Sequence, residues 1–235
     1  MPDGLSGLLS EAEIEALLLS LRVSLVAVGC ALPLAVGTAL LLSRSRFPGR
    51  GLVDALVHLP LILPPVVMGY LLLVTLGTRA PLGHWLEAAF GIRFVFSWTG
   101  AALASGIVTF PFQVRAIRLA LEAIDPHLTQ AAETLGAGPL DRLWNLTLPL
   151  AAPGIIAGAI TAFAASLGEF GAIITFVSNI PGETRTLPLA IYSAIQTPGG
   201  EAVAARLVAL SIALALTGLA LAEYAAWRIR KMLGT

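Results

Sequence analysis

Charged side chains are scarce in this sequence: they make up 12% of its 235 residues, about half the share that soluble globular domains carry. Hydrophobic residues reach 57% and the mean hydropathy is +0.88, so too little polar surface remains to cover a water-facing protein. The net charge of zero offers no basic field to a nucleic acid. The single cysteine, Cys30, excludes an internal disulfide and a multi-thiolate metal site. These shortages argue against a soluble enzyme and predict an integral membrane protein.

The sequence contains no recognisable catalytic or nucleotide-binding motif. The three histidines are scattered, and the sequence contains neither an HExxH pair nor a GxSxG motif. The only lysine, Lys231, lies between Arg230 and Met232, so no Gly-Lys-Ser/Thr of a P-loop exists. We therefore expect a chain without catalytic residues, metal or cofactor, and we expect another subunit to bind any ATP-Mg that drives it. A membrane-embedded enzyme is the alternative from a different class.

Long apolar segments predict five membrane spans, because about 20 apolar residues are needed to cross a bilayer. The spans are expected at residues 23–42, 55–78, 94–114, 153–178 and 207–222, and Glu169 is the only charge in the fourth. A sixth span at 186–198 would be short and has turn residues at both ends. The expected fold is an all-α, polytopic bundle that forms one transmembrane domain over residues 1–235.

The arginines and lysine predict how the bundle lies in the membrane, because cytoplasmic connections carry an excess of these residues. Three positive residues fall on one side of the predicted spans: Arg79, Arg93 and Arg185. Nine fall on the other side: Arg44, Arg46, Arg50, Arg115, Arg118, Arg142, Arg228, Arg230 and Lys231. The N-terminus is therefore expected outside and the C-terminus inside, which places residues 115–152 in a long cytoplasmic loop.

This inner loop contains a spaced motif. Gln130, Ala131 and Ala132 precede Gly136 by three residues, and nine residues then lead to Leu146-Thr147-Leu148-Pro149. Small alanines permit close approach by another backbone, and a glycine permits a left-handed turn between two short helices. Taken alone, Ala-Ala and a glycine are typical of an ordinary helix end. The complete spacing is more informative than these parts.

The motif resembles the EAA loop of permease subunits of bacterial binding-protein-dependent ABC importers. In that family the loop forms a coupling helix that inserts into a groove on the ATPase subunit. The resemblance implies a coupling role for Gln130, Ala131, Ala132, Gly136, Leu146, Leu148 and Pro149. Gln130 replaces the usual glutamate and Leu146 the usual isoleucine, while Glu133 offers an acid one turn further on.

Further segments are similar to oxyanion permeases, and to the molybdate permease subunits among them. They are residues 59–70 (LPLILPPVVMGY), 166–172 (SLGEFGA), 176–186 (FVSNIPGETRT) and 195–200 (IQTPGG). The resemblance implies a type I ABC importer permease fold in the bacterial inner membrane and a homodimer with a substrate path on its two-fold axis. It also implies cytoplasmic ABC ATPase subunits and a periplasmic oxyanion-binding protein as partners, besides membrane lipid. The implied cargo is molybdate, and sulfate, thiosulfate or tungstate are the alternatives.

Polar residues of the fourth span are the candidates for lining this path. A deep arginine would hold a dianion too tightly for release, so neutral donors are expected: Ser166, Thr175 and Ser178, with Asn179 at the outer mouth. Glu169 would repel a dianion, so a buried, hydrogen-bonded or paired carboxylate is favoured for it. Arg22 is its nearest partner by depth, and snorkelling to outer headgroups is the equal alternative for Arg22.

Overall fold

A computed structural model describes residues 9–44 and 47–233 and shows an all-helical chain, without strands in these residues. Of the positive residues counted above, Arg46 and the side chains of Arg44, Arg228, Arg230 and Lys231 lie outside what it describes. The helices are α1 Glu11–Arg44, α2 Arg50–Ile62, α3 Pro65–Leu76, α4 Pro81–Phe90, α5 Trp98–Glu122, α6 Pro126–Thr134, α7 Pro139–Arg142, α8 Leu148–Leu167, α9 Gly171–Val177, α10 Leu187–Gln196 and α11 Glu201–Leu233. A π-helical turn, Leu143–Thr147, joins α7 to α8.

Four of the described helical segments are long and apolar enough to cross a membrane: Glu11–Ser43, Trp98–Glu122, Pro139–Leu167 and Glu201–Gly218. The pair α2 and α3 supplies a fifth span if its two helices are counted together. The all-α membrane bundle predicted from the sequence is thus confirmed. Helix α10 has only ten residues, in keeping with the expectation that 186–198 is too short to span.

The second predicted span is not a single helix. Its two halves, α2 and α3, meet at a bend of 114°. Leu63 at the bend is extended (φ −76°, ψ 140°), as expected for a residue that precedes a proline. Pro64 then precedes Pro65, which begins α3 at a position where a missing amide hydrogen costs nothing. The segment predicted as a span at 55–78 is therefore broken in its middle, and the two prolines explain the break.

The fourth predicted span, 153–178, also differs from the structure. Its helix continues from α7 through the π-helical turn and ends at Leu167, so it begins and ends earlier than the hydropathy indicates. A separate short helix, α9, follows after Gly168, Glu169 and Phe170. The Glu169 carboxylate accepts a hydrogen bond of 2.9 Å from the Ala172 amide and so satisfies one of the free donors at the start of α9.

Helix α5 lies at the centre of the bundle and packs closely on α1 and α8. Two glycines of α8 make this approach close: a β-carbon on Gly154 would lie 2.3 Å from Ala120 Cβ, and one on Gly158 would lie 3.1 Å from Ala116 Cβ. Close backbone approach through small residues is how membrane helices gain packing contacts. The Gly-x-x-x-Gly pattern of α8 therefore serves packing within the chain.

Candidate functional site

The predicted coupling motif begins on α6, a short helix whose start is well capped. Asp125 Oδ1 accepts a hydrogen bond of 2.9 Å from the His127 amide, and Pro126 occupies the first helical position. Gln130 and Ala131 are exposed on this helix, and Ala132 is half-buried. The structure thus presents most of the predicted coupling residues on an exposed surface.

Gly136 ends α6 in a left-handed conformation, with φ at +86°. The Gly136 amide donates to the Glu133 carbonyl, and the Ala137 amide donates to the Ala132 carbonyl, each at 3.0 Å. This pair of bonds is the Schellman arrangement, in which the glycine permits a sharp reversal after the helix. The turn predicted at Gly136 is present, and it directs the chain from α6 towards α7.

The loop is held together by an ion pair and carries exposed apolar side chains. Arg142 at the end of α7 pairs with Glu133 on α6. Leu135 is 88% exposed, and Leu140 (71%) and Trp144 (66%) are nearly as open. Exposed apolar residues of this size mark contact surfaces. Sequence reasoning missed these three, although their apolar character within a polar loop was a visible signal.

The second half of the motif belongs to the start of a membrane helix. Leu146 lies in the π-helical turn, and Leu148 and Pro149 begin α8. Leu146 and Leu148 are half-buried, whereas Pro149 is exposed. Residues 146–149 therefore connect the loop to α8, while residues 130–136 form its exposed helix and turn.

Ser166, the deepest of the proposed path residues, is buried between three helices. Its hydroxyl lies 2.6 Å from Ser105 Oγ on α5 and 2.9 Å from Ser24 Oγ on α1. Only 3% of the residue is exposed. In this conformation Ser166 joins α8 to α1 and α5 and faces no open space.

The other three path candidates lie on α9 and the turn after it. Thr175 is half-buried and donates its hydroxyl to the Gly171 carbonyl at 2.8 Å. Ser178 is exposed and ends α9 with φ at +68°, an uncommon conformation for a serine. Thr184 stabilises this turn because its hydroxyl donates to the Ser178 carbonyl at 3.0 Å and accepts from the Ile180 amide at 2.9 Å.

Asn179 is held between two partners that the sequence analysis did not assign to it. Its Nδ2 donates to Ser193 Oγ on α10 at 2.7 Å. Its Oδ1 accepts from Arg185 Nε at 3.0 Å. The structure therefore brings a cation, an amide and a hydroxyl together beside the end of α9. The placement of Arg185 six residues after Asn179 in a turn-rich segment was the available signal.

Glu169 and Arg22 do not pair with each other as their depth had indicated. Glu169 is 8% exposed and binds the Ala172 amide, which agrees with the buried, hydrogen-bonded role favoured for it. The Arg22 guanidinium instead lies over the Trp98 ring, 3.7 Å from its centre.

Residues 31–231 match the family described as the binding-protein-dependent transport system inner membrane component. The chain belongs to this family. It is 57% identical to the Molybdenum transport system permease protein ModB of Escherichia coli (strain K12) over 227 residues, which cover 97% of this chain and 99% of the relative. It is 54% identical to the ModB protein of Haemophilus influenzae over 222 residues, 94% of this chain and 97% of the relative. The chain is thus a ModB-like inner-membrane permease subunit with several membrane spans.

Two further similarities to this permease family are more distant. The Sulfate transport system permease protein CysT of Escherichia coli (strain K12) is 38% identical over 179 residues, 75% of this chain and 64% of the relative. A bacterial alginate ABC transporter, solved in complex with an alginate pentasaccharide-bound periplasmic protein, superimposes with a TM-score of 0.78 over 97% of this chain and 83% of that chain. At 22% identity, the second match shows that the fold is that of ABC importer permeases.

Proposed function

We propose that this chain is the membrane subunit of an ATP-driven importer that carries molybdate by alternating access. The observation that carries the proposal is 57% identity to a molybdenum transport permease over nearly the whole length of both chains. The 38% identity to a sulfate permease supports sulfate as the first alternative, followed by thiosulfate and tungstate. Two copies of the chain would enclose the path, because the described spans of one copy cannot surround a polar channel and hide it from lipid.

The proposed importer contains two ATPase subunits and a periplasmic oxyanion-binding protein. The chain itself has one lysine, Lys231, and no P-loop sequence around it, so ATP-Mg is assigned to the ATPase subunits. The similarity in fold to a transporter solved with a periplasmic protein supports a partner of that kind.

The loop at 115–152 is proposed to dock on the ATPase. Its exposed helix α6, the reversal at Gly136 and the uncovered side chains of Leu135, Leu140 and Trp144 together provide an apolar surface with a fixed shape. Tryptophan is enriched among the residues that carry most of the binding energy of protein interfaces, and the two exposed leucines add apolar contact area beside it. Because α6 follows α5 after only three residues, movement of a docked ATPase would reach the central helix of the bundle directly.

The substrate path is proposed to pass the end of α9. Ser178 and Asn179 offer neutral hydrogen-bond donors there, and Arg185 adds a positive charge at the mouth while it is held by Asn179. Thr175 would join them as a donor when its hydroxyl turns away from the Gly171 carbonyl. Neutral donors bind an oxyanion weakly enough to let it continue, and a single cation at the entrance raises its local concentration. Ser166 would join this path only in a state in which α8 separates from α1 and α5.

Reconstitution tests the proposal. The chain, its ATPase and its binding protein, placed in proteoliposomes, should accumulate radiolabelled molybdate only when ATP is supplied on the ATPase side. Excess unlabelled molybdate should compete, and sulfate should compete far less. Uptake of sulfate in preference to molybdate would reassign the cargo, and uptake without ATP or without the ATPase would contradict the mechanism.

A further inference from the structure

An apolar groove of about 610 Å³ runs between α1, α2 and α5. On α1 it is lined by Val26, Cys30 and Leu34, which follow one another at four-residue spacing and are all exposed. Residues four apart lie on one face of a helix, so these three form a continuous apolar strip. No part of the proposed coupling loop or substrate path lies in this groove.

One end of the strip carries a positive charge. Arg22 lies one turn before Val26 on the same face of α1, and its guanidinium is 3.7 Å from the centre of the Trp98 ring. Trp98 begins α5 directly before Thr99, which lines the groove. The groove therefore ends at the exposed Arg22 side chain, which stacks on Trp98. Arginine and tryptophan are both common at the membrane–water interface.

The length of α1 places this cation at headgroup depth. No charged residue lies between Arg22 and Arg44, and 22 residues of helix span about 33 Å, close to the thickness of the hydrocarbon core. The strip from Arg22 to Leu34 measures about 18 Å, slightly more than one leaflet. A cation at the surface and an apolar strip of one leaflet's length match the two parts of a phospholipid.

We propose that the groove binds one anionic phospholipid of the leaflet on the Arg22 side. Its phosphate lies against the Arg22 guanidinium, and one acyl chain lies along Val26, Cys30 and Leu34 beneath α2 and α5. The site is independent of the cargo, since it uses neither the residues of the coupling loop nor those near the end of α9. A second copy of the chain is the rival occupant.

Lipid retention by the permease–ATPase complex tests both parts of the site. The complex is taken from nanodiscs of mixed phosphatidylglycerol and phosphatidylethanolamine, and its bound lipids are counted by native mass spectrometry. The wild-type complex should retain phosphatidylglycerol, and Arg22→Gln should lower its preference for this lipid about fivefold, the effect of one lost cation near the surface. The control Arg79→Gln removes an exposed arginine elsewhere and should leave the preference unchanged.

The apolar part is tested by filling the groove. Cys30→Trp should abolish retention of the lipid, whereas Leu25→Trp, on an exposed part of α1 outside the groove, should not. Equal retention in Cys30→Trp and wild type, or equal effects of Arg22→Gln and Arg79→Gln, would overturn the proposal. Because Cys30 is the only cysteine, a short bismaleimide can join two copies of the chain only through it. Efficient formation of that dimer would assign the groove to a second copy and also overturn the lipid site.

Discussion

At the scale of single residues, Glu169 shows how a carboxyl group is accommodated among apolar helices. A charged or polar group in such a place is tolerated when it is hydrogen-bonded, and the Ala172 amide provides that bond at 2.9 Å. The same bond serves α9, whose first amides have no partners within the helix. The acid therefore marks the break between α8 and α9.

We predict that Glu169→Ala lowers stability, while Glu169→Gln is milder because its amide oxygen can still accept from Ala172. Loss of a side-chain cap costs about 1 kcal/mol, so the alanine variant should melt several degrees lower in detergent. Glu183→Ala, which removes an exposed acid from the nearby turn, is the control and should melt like the wild type. Equal melting of Glu169→Ala and Glu183→Ala would mean that the cap does not matter.

Gly136 allows a second test at residue scale, because a matched glycine lies two positions away. Gly136 has φ at +86°, whereas Gly138 has φ at −68°, and a β-carbon on either would meet nothing within 4 Å. Only Gly136 therefore incurs backbone strain on substitution, of about 1 kcal/mol. We predict that Gly136→Val leaves the subunit in the membrane but prevents the ATPase from co-purifying and abolishes uptake.

Gly138→Ala is the control and should keep both ATPase binding and uptake. Gln130→Glu, which restores the acid usual in the family, should also be nearly silent. Ala131→Asp should act like Gly136→Val, because it puts an unpaired charge into a closely packed contact. Normal uptake by Gly136→Val would show that the loop is not the coupling element.

At the scale of helices, apolar length predicted the long apolar segments but not where their helices break. The five predicted segments correspond to the four long helices and the α2–α3 pair. This agreement is expected because any helix that crosses a bilayer needs about 20 apolar residues. The prolines at 64 and 65 and the Gly168–Phe170 interruption were visible, but mean hydropathy does not register them. Bends of this kind are fixed by neighbouring helices that cover the freed backbone, and only the structure shows these neighbours.

The contact of α3 with α9 is one such case, and it depends on Gly69. A β-carbon at this position would lie 2.6 Å from the Ala172 carbonyl oxygen and 2.8 Å from Thr175 Cβ. We predict that Gly69→Ala destabilises the complex by about 1–3 kcal/mol, the usual cost of overpacking, and lowers uptake by displacing α9. Gly37→Ala on α1 meets open space and should have neither effect in the same melting and uptake assays. Unchanged melting of Gly69→Ala would show that the bend of α2 and α3 can relax.

The short helix α9 also gives a prediction for the path. In a Cys30→Ser background, cysteines placed at Thr175, Ser178 and Asn179 should react with a charged, water-soluble maleimide in one nucleotide state of the ATPase and be protected in another. The exposure of Ser178 and the polar cluster of Asn179, Ser193 and Arg185 beside it motivate this expectation. A cysteine at Ser166 should stay protected in the conformation described here because α1 and α5 cover it. Protection of the first three positions in every state would remove them from the path.

At the scale of the whole molecule, the sequence predicted the local shape of the proposed coupling loop better than the surroundings of the proposed path residues. A coupling motif is local, so its spacing alone predicted the turn that Gly136 makes after α6. The environment of Ser166 depends on Ser24 and Ser105, which come from α1 and α5, and Asn179 binds Ser193 on α10. Residues brought together from distant segments have no signature in a single sequence, so these contacts could not be predicted. Arg185 is different, because it lies only six residues after Asn179 and its contact was missed although the signal was visible.

The course of the bent pair α2–α3 determines which side of the membrane carries the proposed coupling loop. If the pair crosses, the arginine clusters at 44–50 and 115–142 lie on one side, as the excess of positive residues favours. If it turns back within the membrane, the two clusters lie on opposite sides.

We predict that the bent pair crosses the membrane. Alkaline phosphatase, which is active only outside the inner membrane, should be active when inserted after Arg79 or within 182–185 and inactive when fused after Thr235. Green fluorescent protein fused after Thr235 should fluoresce. Insertion after Pro48, in the connection between α1 and α2, should be inactive. Equal activity of the insertions after Pro48 and Arg79 would contradict the crossing, because only the bent pair separates these two sites.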